Sequence, residues 1–154
     1  WGICSILERI ALMDKIVEIT YIRPTDLDSI WTKVKPFMEV AAEYTYGRFT
    51  TNDIRTEYKK GSQQFWLAHE GEEVLGFSIT EVMDYPQTRA LIMHFTGGKD
   101  LPLWKAPMLK DIQEFAKANG CDIIESYGRV GWGKVFKEDG YKSRFTFYEL
   151  PVER

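Results

Sequence analysis

The sequence lacks any apolar run near the roughly 18 residues that span a bilayer as a helix, so no segment reads as a membrane-spanning helix. Cysteine and histidine are scarce, at two each. Cys4 and Cys121 form no Cys-x-x-Cys, and His69 and His94 are too scattered for a zinc cluster. The two thiols read as reduced, as in a cytosolic-type protein. No charge sign dominates. Lys and Arg number 20 against 23 Asp and Glu, a formal charge of −3, and the two signs are interspersed. That argues against the broad basic face that grips nucleic acid. No Walker loop, Ser-His-Asp signature or metal-ligand spacing occurs, so no metal is implied.

What is present suits one folded domain. The chain has 154 residues, 44% of them hydrophobic and 14% aromatic, enough for one sizeable core. No repeat, linker or low-complexity tract divides it. The first twelve residues, "WGICSILERIAL", precede "MDKIVEITYIRP", which reads like a protein start at Met13. Residues 1–12 therefore read as an N-terminal extension, the product of upstream or open-frame translation, and 13–154 as the domain. Ile3, Ile6, Leu7 and Ile10 share a helical face, so an amphipathic docking helix is the other reading.

Hydrophobic periodicity orders the rest. "VEITYIRP" alternates and ends at a proline, as a strand does. Thr25 and Asp28 have capping-box spacing ahead of a helical stripe of Ile30, Trp31, Val34, Phe37, Met38 and Ala41. Pro36 inside that stripe predicts a kink or a division into two helices. Thr50 and Asp53 repeat the capping pattern, and Gly61 stops that helix. Two strands around "EGEE" and a third at "TRALIMHF" predict an antiparallel meander. "LPLWKAPMLKDIQEFAKANG" is a helix with Leu109, Ile112, Phe115 and Ala116 on one side, ended by Gly120. "CDIIESYG" is a buried strand, "VGWGKVFKEDG" a short helix and "YKSRFTFYEL" a long final strand. The order β-α-α-β-β-β-α-β-α-β predicts a mixed α/β sheet with helices on both faces.

Three features together resemble the GNAT (GCN5-related N-acetyltransferase) superfamily over Val17 to Leu150. They are the opening strand with "IRP" before two helices, the helix ending "EFAKANG" before a hydrophobic strand, and "VFKEDGYK" leading into a last strand. The resemblance implies an acyl-CoA N-acyltransferase fold, acetyl-CoA as cofactor, and a small-molecule amine or a protein as acceptor. It implies a coenzyme site between the fourth and fifth strands, served by Phe95, Thr96, Gly97, Gly98, Lys99, Lys105 and Arg129. It also implies a base on a central strand, for which Glu81 and His94 are the candidates. Tyr44, Tyr46, Arg48 and Phe49 fall where the family borders its acceptor.

The chain departs from that family at two places. The family's phosphate loop, Arg/Gln-x-x-Gly-x-Gly/Ala, falls on Asp100, Leu101, Pro102, Leu103, Trp104 and Lys105. An acid replaces the arginine, bulky residues replace the glycines, and Pro102 has no N–H to give. A loop shifted onto Gly97 and Gly98 is the alternative to a plain turn. The family's proton-donating tyrosine falls on Phe136, which has no proton to offer. Arg129 either grips an anion or pairs with an acid such as Glu138.

Two functions stay open. One is a divergent N-acyltransferase with a degenerate pyrophosphate loop. The other is a non-catalytic GNAT-shaped binding or structural protein, with a protein as partner. "GRVGWGKVFKEDGY" is also similar to the ending of small GNAT-like proteins of tailed bacteriophages, some of them internal virion proteins. That resemblance implies the host cytoplasm or the virion as location.

Overall fold

The computed structural model describes residues 16–128 and 132–154; the extension at 1–12 and Arg129 lie outside them. Strand β1 (Val17–Ile22) leads through a 3-10 turn at Pro24–Asp26 into α1 (Leu27–Glu43) and α2 (Thr51–Lys59). The meander β2 (Gln63–Glu70), β3 (Glu73–Asp84) and β4 (Arg89–Gly98) follows, then α3 (Leu101–Ala118), β5 (Ile123–Ser126) and α4 (Gly133–Glu138). The strands form one sheet in the order β1-β2-β3-β4-β5. The first four are antiparallel, and β5 runs parallel to β4. This is the expected mixed α/β sheet. None of the helices among the described residues is long and apolar enough to cross a membrane.

Each face of the sheet carries its own core. On one, Leu27, Val34 and Met38 of α1 and Ile54 and Tyr58 of α2 pack onto Phe65, Phe77 and Ile79. On the other, Trp104, Met108, Ile112 and Ala116 of α3 cover Trp66, Leu75 and Leu91. Their strict spacing of four puts these α3 residues in one row. Leu109 and Phe115, expected in that row, are half-buried at its margins.

Helix ends follow local chemistry. The Asp53 N–H donates to Thr50 Oγ1 at 3.1 Å and the Thr50 N–H to Asp53 Oδ2 at 2.9 Å, a reciprocal cap worth about 1 kcal/mol. Gly120 ends α3 with φ of 69°, and the Cys121 N–H closes back on Ala116 O at 2.9 Å. Two expectations are corrected. Pro24 starts the 3-10 turn, so Thr25 sits inside that turn and the Thr25–Asp28 box does not form. Asp28 instead accepts from Arg55 and from Lys59 at 2.9 Å. Nor does Pro36 divide α1. Pro36 and Thr32 are exposed, so water can satisfy the carbonyl freed there, while Val34, Met38 and Ala42 hold the helix against the sheet.

The last expected strand is also corrected: residues 141–150 carry no regular structure. A strand exists only where a neighbour takes its backbone groups, and residues 142–154 make no backbone hydrogen bond to the other described residues.

Two packing devices fix the middle of the sheet. At one end of β4, the Arg89 guanidinium donates to both carboxylate oxygens of Asp84, at 2.6 and 3.2 Å, and to Asn119 O at 2.9 Å. The Arg89 backbone N–H donates to Asp122 at 3.0 Å, so β3, β4, α3 and the start of β5 are clasped together. At the other end, Gly98 lies against β3 with φ of +152°. A side chain there would put its Cβ 2.4 Å from Leu75 O and 2.5 Å from Gly76 Cα. Gly98→Ala should therefore cost about 2 kcal/mol or more. Urea unfolding checks this, with Thr50→Ala, expected near 1 kcal/mol, as the reference.

Candidate functional site

The site begins with one extra residue in β4. Ile79 pairs with Phe95 and Thr80 with Met93, which leaves His94 opposite nothing. This is a β-bulge. Leu91 and Met93 face the α3 core, whereas Phe95 packs against the α1–α2 core; strict alternation would have kept all three on one side. The bulge makes the switch and brings the His94 ring within 6.1 Å of the Phe95 ring.

On β3, Glu81 lies two residues beyond Ile79 and comes up beside His94. His94 Nε2–H donates to Glu81 Oε1 at 2.8 Å, and the Ser62 hydroxyl donates to Glu81 Oε2 at 3.0 Å. Both side chains of the pair are about one-quarter exposed, 25% for His94 and 26% for Glu81. A half-buried carboxylate with both oxygens occupied holds the imidazole by one nitrogen. That fixes the tautomer and leaves Nδ1 with a lone pair. His69 cannot act in this way. Its Nδ1–H donates to Gly71 O at 2.8 Å and its Nε2 accepts from Thr20 Oγ1 at 2.7 Å, so both nitrogens close the β1–β2 margin. That margin borders a recess of about 270 Å³.

Beside the pair the sheet opens. β4 and β5 pair only from Ala90–Ile123 to Met93–Ser126. β4 continues to Gly98 while β5 ends at Ser126, so among the described residues the outer edge of β4 past Met93 has no strand beside it. At the point of parting sits Tyr141. Its O–H donates to Met93 Sδ at 3.4 Å and accepts from Ser126 Oγ at 3.5 Å. Phe136 packs on Tyr141 with ring centroids 5.0 Å apart. Burial, opposed by the Ser126 bond, holds the Tyr141 phenol above its ordinary range.

The remaining candidates divide. Phe49, from the loop between α1 and α2, meets Phe95 edge-on at 5.4 Å and so belongs beside the Glu81–His94 pair. Arg48 turns to the C-terminal segment, donating to Glu149 Oε2 at 2.6 Å and lying 5.1 Å over the Phe147 ring. Tyr44 and Tyr46 are exposed on the same loop. Thr96 Oγ1 bonds Ser78 Oγ at 2.9 Å across the strands. Gly97 and Gly98 have packing duties: a Cβ on Gly97 would lie 3.1 Å from Phe37 O. Lys99 donates to Glu73 at 2.6 Å, a bond that holds its ammonium above the usual lysine range, and Lys105 sits 3.3 Å from Asp139. At the start of α3, Leu101 packs into the core, Pro102 and Leu103 are exposed, and the Leu103 N–H is taken by Asp100 O at 2.9 Å. Among the described residues no group of three or more His, Cys, Asp or Glu could hold a metal ion.

No protein-family model and no curated protein matches the sequence. Solved structures do match the fold. An aminoglycoside N-acetyltransferase in complex with CoA superposes with a TM-score of 0.65 at 12% identity, over 90% of this chain and 97% of its own. A ribosomal-protein-alanine N-acetyltransferase from Brucella melitensis does so at 0.64 and 12%, over 90% and 100%. A probable acetyltransferase gives 0.67 at 16% identity, over 89% and 99%. The fold is that of the GNAT acetyltransferases.

Within this GNAT frame, two residues of the candidate site are not singled out by the sequence. Ser62 follows a helix-stopping glycine and looks like part of a turn. Tyr141 lies near the position of the family's tyrosine, which falls on Phe136, but does not hold it. Tyr141 and the fully buried Tyr58, whose hydroxyl donates to Ile22 O, are both raised by burial. A raised folded value means that the native state keeps its proton where the unfolded chain loses it. The stabilisation is then complete below the ordinary tyrosine value near 10 and is lost as pH rises through the folded values. Chemical denaturation between pH 9 and about 12 should show stability falling, and Tyr58→Phe and Tyr141→Phe should each flatten that fall.

Proposed function

We propose that the chain is a divergent N-acyltransferase that takes its acyl group from a thioester such as acetyl-CoA. The observation that carries this reading is the Glu81–His94 pair, held by a strand bulge beside the parting of β4 and β5. When bound, acyl-CoA would supply an activated acyl carbon. The chain's own residues serve the protons. His94 Nδ1, with the ring oriented by Glu81, is the acceptor for the proton of an incoming amine. The Tyr141 hydroxyl, kept protonated by burial, is the donor available at the parting of the strands. Phe49 and Phe95 give the amine an apolar wall, and Tyr44, Tyr46 and Arg48 line its approach.

The fit to the coenzyme is uneven. The outer edge of β4 from Phe95 to Gly98, unpaired among the described residues, offers backbone groups to a neutral, extended arm. The diphosphate fits poorly. Pro102 has no N–H, Leu103 spends its own on Asp100, and Lys99 and Lys105 face carboxylates. The nucleotide end is therefore weakly held, and the proposed grip lies on the arm. The same poor cradle favours a second reading, a non-catalytic GNAT-shaped protein bound to another protein. A virion partner is the form that the phage resemblance suggests.

Titration with acetyl-CoA separates the two. Coenzyme at one hundred times its dissociation constant adds about 2.7 kcal/mol of stability, and no rise in melting temperature at millimolar coenzyme would leave the binding-protein reading standing. If thiol release with primary amines is seen, His94→Ala should lower kcat/KM by about 10²–10⁴-fold with the melting temperature little changed. Glu81→Gln should lower it less. Full activity in both variants would remove the assigned base.

A further inference from the structure

A second bulge lies at the far end of β2 from the Glu81–His94 pair. Ala68 pairs with Gly76 and His69 with Val74, which leaves Leu75 as the extra residue. Strict alternation back from Phe77 would turn Val74 toward α3. The bulge turns it to the α1 face instead, where Leu67 also lies, and bulges recur next to functional sites. These two side chains and Ile30 of α1 line the recess of about 270 Å³. His69 and Gln63, the partner of Glu81, stand near opposite ends of β2, roughly 20 Å apart at ordinary rise. The recess is therefore separate from the candidate site.

Three elements fix its walls. Lys33 Nζ, on α1, donates to Glu72 O in the β2–β3 turn at 3.2 Å. The His69 ring is held at both nitrogens, accepting from Thr20 Oγ1 at 2.7 Å and donating to Gly71 O at 2.8 Å. The lining is apolar inside and charged outside. Leu67 and Val74 are buried and Ile30 half-buried, whereas Lys33 and Glu72 are exposed. An ammonium has three donors, and Lys33 spends one on the turn. Glu18, 3.9 Å from His69 Nε2, adds a second acid to this margin. Close packing leaves few gaps larger than one water, yet this recess has room for roughly nine at about 30 Å³ each.

We infer that the recess binds a free apolar α-amino acid the size of leucine. Its side chain lies on Ile30, Leu67 and Val74. Its carboxylate accepts from Lys33, and its ammonium donates to Glu72. A ligand with only one charge would meet a like charge on the same rim.

The chain has two histidines, so one spectrum reports on both places. In the full chain, leucine titrated to about 10 mM, the weak limit for so small a ligand, should shift the His69 imidazole resonances and leave those of His94 in place. A shift at His94 alone would make leucine an amine at the candidate site and would overturn the inference. So would the absence of any shift. 4-Methylpentanoate, which lacks the ammonium, and 3-methylbutylamine, which lacks the carboxylate, should each bind roughly tenfold or more weaker. Equal affinity for either analogue overturns the zwitterion. Lys33→Glu changes an exposed side chain, so the melting temperature should hold while leucine binding falls by at least the same factor. Unchanged leucine binding in that variant overturns the assignment to this recess.

Discussion

One inserted residue in β4 determines what the rest of the site can do. Without the bulge, His94 would face away from the side on which Phe95 lies, and Glu81 would lose its imidazole partner and keep only Ser62. With it, two consecutive side chains share a face, and an acid and a base are held 2.8 Å apart in a half-buried position. The ladder to β3 resumes on both sides of the bulge. The irregularity is therefore local, and the antiparallel sheet around it over-determines its position.

The opening beside the bulge rests on a difference in length. β4 outruns β5 at its C-terminal end, and the chain after Gly140 returns only far enough to put a phenol at the last paired residues. The proposed acid–base groups therefore lie on two different elements, a central strand and the entry to the C-terminal segment. Neither depends on the other for its hydrogen bonds. The phosphate end of a coenzyme lacks comparable support. At the start of α3, Lys99 and Lys105 are paired with neighbouring carboxylates, and Gly97 and Gly98 are consumed by close approach to α1, β3 and Trp104.

Much of this was legible in the residues. The meander, the two helices before it and the α3–β5 unit follow from periods of two and three to four. The Thr50–Asp53 cap and the Gly120 stop followed from local rules because every partner lies within a few residues. Non-local contacts decided the failures. Asp28 was drawn to Arg55 and Lys59 rather than to Thr25. Pro36 was tolerated because the core holds α1 from one side. Gly97 and Gly98 read either as a shifted phosphate loop or as a plain turn, and only the fold showed β3 and α1 occupying the space next to them. The pairing of Glu81 with His94 needed the bulge, which alternation alone cannot reveal. The last segment had the right pattern for a strand, but a pattern does not supply a neighbour.

The Arg89 clasp and the parting of β4 from β5 lie along one strand. Asp84, Asn119 and Asp122 pin β4 at its first residue, and its next four residues pair with β5. Beyond them β4 runs from Met93 to Gly98, roughly 17 Å of strand at ordinary rise, with β3 on one edge and, among the described residues, no strand on the other. Past Met93, then, a single ladder of hydrogen bonds carries the rim of the opening, where two carry the pinned end.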